Sequence, residues 1–257
     1  MSKLEIQGIR SPVGDNIFWF IIDSNKNGIL VDPGEDKPIV NYIKSNGLMP
    51  DSIILTHDHP DHTNGILPIT NEFHCPVIGP ENENIESITQ AFTEGDSFER
   101  MGAKFEVLSL PGHSPDHIGF IVNDEHFFCG DVIFGGGCGI VPEGSYDIMF
   151  DSLQKCKELS PAIKLYWGHE YTAANLLFAT QVEPDNVDLV KRLKLAQENI
   201  ATNKFDAPGT LAEELKTNPF LRTDQPGVIA AAEQKHGGKL STPYEVFAVL
   251  RKWRSGG

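Results

Sequence analysis

The residues best suited to chemistry lie in one stretch, Thr56-His57-Asp58-His59-Pro60-Asp61-His62. His57, His59, His62 and Asp61 follow directly on the apolar run 52–55, so four potential metal ligands stand where a buried strand reaches the surface. Neutral imidazole and carboxylate suit a divalent ion of borderline hardness, zinc above all. His57 and His59, two apart, leave an extended backbone on the same side, while Asp61 and His62 can turn toward a neighbouring point. That spacing suggests two ions rather than one. A histidine-rich polar turn would explain a lone pair of histidines, but further candidate ligands recur downstream at strand ends.

The apolar segment 105–110 runs into Pro111-Gly112-His113-Ser114-Pro115-Asp116-His117, where Pro-Gly allows a tight turn that can push His113 toward the first cluster. His117 is open to three readings: a ligand, a group behind a ligand, or the start of a helix. Segment 126–129 ends in Gly130-Asp131, and segment 163–167 ends in Gly168-His169-Glu170-Tyr171. The glycine-rich loop 135–139 lacks the Lys-Ser/Thr ending of a phosphate-binding loop and reads as a flexible or close-packed rim of the site.

The elements that must position these groups alternate in type. Segments 4–9, 17–22 and 28–31 have strand composition, 38–45 has helical spacing, and 53–55 and 75–79 return as strands. A helix is expected over 147–159. Beyond about residue 173 the pattern turns helical, at 175–180, 187–200, 212–215 and 243–253, with Pro208-Gly209, Asn218-Pro219 and Gln225-Pro226-Gly227 as connectors. An α/β domain over 1–172 and a small all-α domain over 173–257 are therefore expected.

With 257 residues, 40% of them hydrophobic, the chain can bury a sizeable core. A net charge of -15 argues against a nucleic-acid partner and against an anionic membrane surface. The start, Met1-Ser2-Lys3-Leu4-Glu5, has no signal-peptide core, and Cys75, Cys129, Cys138 and Cys156 lack paired spacing, so a reduced cytoplasmic protein is expected. The chain is expected to act as a monomer.

His57-x-His59-x-Asp61-His62, His113, Asp131 and His169 together resemble the ligand set of the metallo-β-lactamase superfamily. Within it the chain is similar to the glyoxalase II (hydroxyacylglutathione hydrolase) family, at Asp15-Asn16, 135–139 with Glu143-Gly144, Gly168 to Tyr171, Val182-Glu183-Pro184, and Glu213-Glu214 with Asn218-Pro219-Phe220-Leu221-Arg222. The resemblance implies an αββα sandwich with a C-terminal helical domain. It implies that His57, His59 and His113 hold one metal, Asp61, His62 and His169 the other, and that Asp131 bridges them. Asp131, Asp61 and His59 are the catalytic candidates among these. Zinc is the expected ion, and such mixed shells also accept iron or manganese.

The implied activity is hydrolysis of S-lactoylglutathione to D-lactate and glutathione, a step of methylglyoxal detoxification. Metal coordination lowers the pKa of water to roughly 7, giving hydroxide for attack on a thioester carbonyl. A thiol with a pKa of about 8.5 leaves without a dedicated general acid. Tyr171, Arg251 and Arg254 are the candidate substrate contacts, since the two arginines, three apart, share one face of the final helix. The chain departs from the family at Ile140 and Pro142, where a basic and an aromatic residue are usual, and at Asp116, where Gly is common. Alternatives on the same scaffold are another thioester or thiol carrier, a lactone, or mono-iron persulfide oxidation; a non-enzymatic metal module is the remaining reading.

Overall fold

The computed structural model describes residues 4–82, 85–142 and 144–256; Glu143, quoted for the family resemblance, lies outside them. The chain falls into two compact units, residues 1–110 with 114–130, and residues 111–113 with 131–257.

The first unit opens with β1 (Glu5–Arg10), β2 (Ile17–Ile22) and β3 (Asn27–Val31), paired antiparallel in that order. α1 (Asp36–Asn46) crosses over to β4 (Met49–Ile54), which is parallel to β3. The short α2 (Pro60–Thr63) and α3 (Ile66–Phe73) lead to β5 (Val77–Pro80), and β6 (Gln90–Phe92) closes a sheet of order β1-β2-β3-β4-β5-β6. Parallel pairs need such crossovers, and helices supply them here. Ile39 and Ile43 of α1 and Ile66 and Ile69 of α3 pack with Phe18, Phe20, Leu30, Ile53 and Leu55 in one core. Every residue of β2 is buried, as expected of a strand covered on both faces. Then β7 (Ser97–Arg100), β8 (Ala103–Ser109), β9 (Ile118–Val122) and β10 (His126–Gly130) form an antiparallel run in which neighbours in sequence pair.

The second unit contains the hairpin β11 (Ile133–Phe134) and β12 (Gly137–Cys138), α4 (Tyr146–Lys157), and β13 (Lys164–Trp167). It continues through α5 (Thr172–Val182), α6 (Val187–Ala201) and β14 (Gly209–Thr210), the last antiparallel to β13. α7 (Leu211–Thr217), α8 (Pro226–His236) and α9 (Pro243–Arg254) complete it. Ala173, Leu176 and Ala179 of α5 pack on Leu189 and Ala196 of α6. A second, aromatic centre joins Phe150, Phe178, Phe220, Phe247 and Trp253. α9 begins with a reciprocal cap: Thr242 accepts from the Glu245 backbone and Glu245 accepts from the Thr242 backbone.

The division differs from the expected boundary after residue 172. Hairpin β11–β12, α4 and β13 contact α5, α9 and β14, so they group with the helical tail. Among the elements that the sequence reading did not expect are α8 and β9. Gln225-Pro226-Gly227 starts α8 instead of connecting: Pro226 sits at the first helical position, where a missing N–H costs nothing. His117 immediately precedes β9, a strand absent from the sequence reading. No helix among the described residues is long and apolar enough to cross a membrane.

Candidate metal centre

In the first unit the ligand candidates leave the end of β4 and enter α2. The ring of His57 lies 4.6 Å from that of His59 and 4.2 Å from that of His62 between centroids. Like the rings of His57 and His62, the Asp32 carboxylate is buried beside them. Its Oδ1 accepts the Thr56 N–H at 2.7 Å, its Oδ2 accepts the Thr56 hydroxyl at 2.7 Å, and Oδ2 lies 3.1 Å from His62 Nδ1.

Because the Thr56 hydroxyl proton is directed to Asp32, its oxygen is left to accept from His57 Nδ1, 2.9 Å away. That tautomer leaves the His57 Nε2 lone pair for a metal. Asp61 is half exposed, and Asn16 Nδ2 donates to its Oδ2 at 3.1 Å. Gly34 lets the Asp32-Pro33-Gly34 turn approach, since a Cβ there would lie 1.7 Å from the Asp61 carbonyl oxygen. His117 is fully buried and stacks on His57 at 4.8 Å. It therefore lies behind a ligand candidate, the arrangement that one of its three readings expects.

In the second unit His113, Asp131 and His169 converge from three distant segments. Asp131 Oδ2 lies 3.1 Å from His169 Nε2 and 3.6 Å from His113 Nε2. His113 Nδ1 faces the Ile140 carbonyl at 2.9 Å; a carbonyl only accepts, so Nδ1 carries the proton and Nε2 is the nitrogen that keeps its lone pair. The Tyr171 ring stacks on His169 at 4.8 Å, 1° from parallel.

The loop 135–139 is close-packed. A Cβ on Gly135, Gly136 or Gly137 would collide with Thr172, Leu176 or Asn175, and one on Gly139 would lie 2.0 Å from the Asp131 carbonyl oxygen. Arg251 is buried and donates to the carbonyls of Cys138 and Gly139 at 3.1 and 3.3 Å. Arg254 is half-buried, with Nη2 donating to Asn175 Oδ1 at 3.4 Å. Burial and then the charge of Arg251 lower its pKa. The Ile140 side chain is exposed, and Asp116 accepts from Asn82.

The donor set fits a metal. Ligand atoms around one tetrahedral zinc, at roughly 2.0–2.2 Å from it, stand about 3.4 Å apart, which the contacts of Asp131 Oδ2 bracket. Asp32 and Thr56 contact the ligand candidates His62 and His57. The sequence reading singled out neither, although Asp32, a carboxylate closing the strand 28–31 beside a histidine-rich strand end, was the available signal.

A family model described as "Metallo-beta-lactamase superfamily" matches residues 12–169, and "Hydroxyacylglutathione hydrolase C-terminus" matches 170–256. Curated relatives carry the second name along their full length. The hydroxyacylglutathione hydrolase of Nitrosomonas eutropha is 42% identical over 94% of either chain, and that of Vibrio parahaemolyticus 41% identical over 98% of this chain and 99% of its own. The chain belongs to the hydroxyacylglutathione hydrolase family. Solved structures share the fold. A metallo-β-lactamase from Staphylococcus aureus superposes with a TM-score of 0.66 at 19% identity, over 98% of this chain and 72% of that one. ETHE1 from Myxococcus xanthus gives 0.65 at 18% identity, over 98% of this chain and 99% of that one. The α/β metallo-β-lactamase fold with a C-terminal helical region is thus the family's, and the His and Asp clusters mark it as a metal-binding hydrolase.

Proposed function

We propose that the chain hydrolyses S-2-hydroxyacylglutathione thioesters, in the simplest case S-lactoylglutathione to D-lactate and glutathione. The observation that carries the reading is Asp131 Oδ2 set between the Nε2 atoms of His113 and His169, a carboxylate oxygen suited to bridging. Full-length relatives named hydroxyacylglutathione hydrolase support the substrate class.

His57, His59 and His113 would hold one divalent ion and Asp61, His62 and His169 the other, with Asp131 shared and zinc the preferred metal. When bound, the ions supply Lewis acidity and a water ionised near neutral pH. The chain's own residues do the positioning. Asp32 and Thr56 fix the tautomer of His57, Asp32 also faces Nδ1 of His62, the Ile140 carbonyl fixes His113, and Asn16 holds Asp61. Tyr171, Arg251 and Arg254 are assigned to the glutathione part. We assign residues 1–172 to catalysis and 173–257 to substrate binding, in a monomeric cytoplasmic enzyme.

The test is hydrolysis across a panel of acyl and thiol variants on protein of measured metal content. We expect two ions per chain and a preference for glutathione thioesters. Faster turnover of a lactone or of a non-glutathione thioester would overturn the substrate assignment.

A further inference from the structure

We propose that the buried side chains Arg192, Glu214 and Asn218, remote in sequence from every ligand candidate, are positioning residues for the metal ligand His113, acting through the backbone of the loop 134–140. Glu214 and Asn218 are fully buried, and Arg192 nearly so. A carboxylate is costly to bury unless paired and hydrogen-bonded, and Glu214 is both. One oxygen accepts from Arg192; the other accepts the Gly136 N–H at 2.8 Å and Asn218 Nδ2 at 3.0 Å.

Asn218 Nδ2 also donates to the carbonyls of Gly137 at 2.9 Å and Phe134 at 3.4 Å. Asn175 takes the Gly135 carbonyl, and Arg251 those of Cys138 and Gly139. The backbone between Phe134 and Gly139 is thus held almost residue by residue from the helices. The next carbonyl, Ile140, is the one facing His113 Nδ1, and Gly139 packs against the His113 ring and the Asp131 carbonyl. Burial opposes the charge of Arg192, but attraction and hydrogen bonding from Glu214 outweigh it and raise its pKa. The ion pair is therefore the fixed anchor from which the loop hangs. A loop released from it would let the Ile140 carbonyl drift and His113 rotate.

This inference rests on the metal-centre reading above, so wild-type metal content is measured first; a chain that binds no divalent ion would refute that reading, and this one with it. Removing one charge alone would strand the other, so the decisive variants replace both. Arg192→Met with Glu214→Gln retains an oxygen for the Gly136 N–H. Arg192→Met with Glu214→Leu does not. The readout is zinc release to a competing chelator, alongside the circular dichroism spectrum and thermal midpoint of the metal-free chain.

We expect the Gln version, which keeps an acceptor for the Gly136 N–H but not the ion pair, to release zinc less than about tenfold more readily than the wild type, and the Leu version, which keeps neither, about tenfold to a hundredfold more readily, the usual consequence of removing a partner behind a ligand. Equal release from both versions, or loss in both that only tracks the thermal midpoint, would overturn the proposal. Should neither double variant fold, Asn218→Ala decides. Threefold to tenfold easier release, on the order of a partial loss of such support, is expected, and unchanged release overturns the proposal.

Discussion

The first unit holds His57 and His62 with few atoms: the Asp32 carboxylate faces His62 and binds the Thr56 hydroxyl, which in turn faces His57. The second unit brings His113, Asp131 and His169 from three strand ends and supports His113 through a loop backbone gripped by Asn175, Glu214, Asn218 and Arg251. Concentrated support places a large share of the orientation in a single residue. Distributed support spreads it, so that each clamp matters less and the helical tail becomes part of the metal centre's construction.

The largest effect should come from the ligand candidate that His113 and His169 both face. Asp131→Ala removes the oxygen next to His113 and His169 and would leave the two proposed cations without a shared anion. Hydrolysis is expected to fall more than about a hundredfold, beyond what losing an outer partner costs, with a thermal midpoint of the metal-free chain close to wild type. Turnover near normal with two ions still bound would break the assignment of Asp131 as the bridge.

The contrast in support is sharpened by a matched pair. Asp32→Ala should weaken zinc retention about tenfold to a hundredfold. It should also cost stability, on the order of 1–3 kcal/mol, because the buried Thr56 N–H loses its acceptor. Asn175→Ala, which removes one grip of several on the loop, should change retention by less than about tenfold. Chelator competition on both variants ranks them, and an Asn175 effect equal to that of Asp32 would erase the distinction between concentrated and distributed support.

The same contrast explains what could be read in the sequence. All seven ligand candidates were visible because histidines and aspartates at strand ends are local signals, and the alternation of strands and helices announced an α/β fold. Asp32 was hidden because it reaches His62 across a parallel strand pair, a contact written in β3–β4 register and not in spacing. The loop 135–139 was legible as a rim but not as a suspended backbone, since its partners lie far along the chain and become neighbours only when α5, α7 and α9 pack. Pro226-Gly227 read as a break because proline is ambiguous between ending one helix and starting the next.

The smallest effect separates two arginines that share a face of α9. Arg251 already donates to the Cys138 and Gly139 carbonyls and lies over Phe220, so its loss disturbs the loop as well as any ligand it meets. Arg254 donates one long hydrogen bond to Asn175 and lies over the Phe178 ring; burial and then the charge of Arg251 hold its pKa down, and an arriving carboxylate would relieve that unfavourable pairing. Arg254→Ala should therefore raise KM for S-lactoylglutathione about tenfold, the equivalent of a charge-assisted hydrogen bond near 1.5 kcal/mol, while kcat stays close to wild type. It should leave a small thioester without the peptide unaffected. Arg251→Ala should raise KM for S-lactoylglutathione as well and in addition lower kcat on both substrates, because the carbonyls it releases belong to the loop that supports His113. If both variants change KM alone, Arg251 serves the substrate and not the loop; if both lower kcat on both substrates, Arg254 belongs with the clamps.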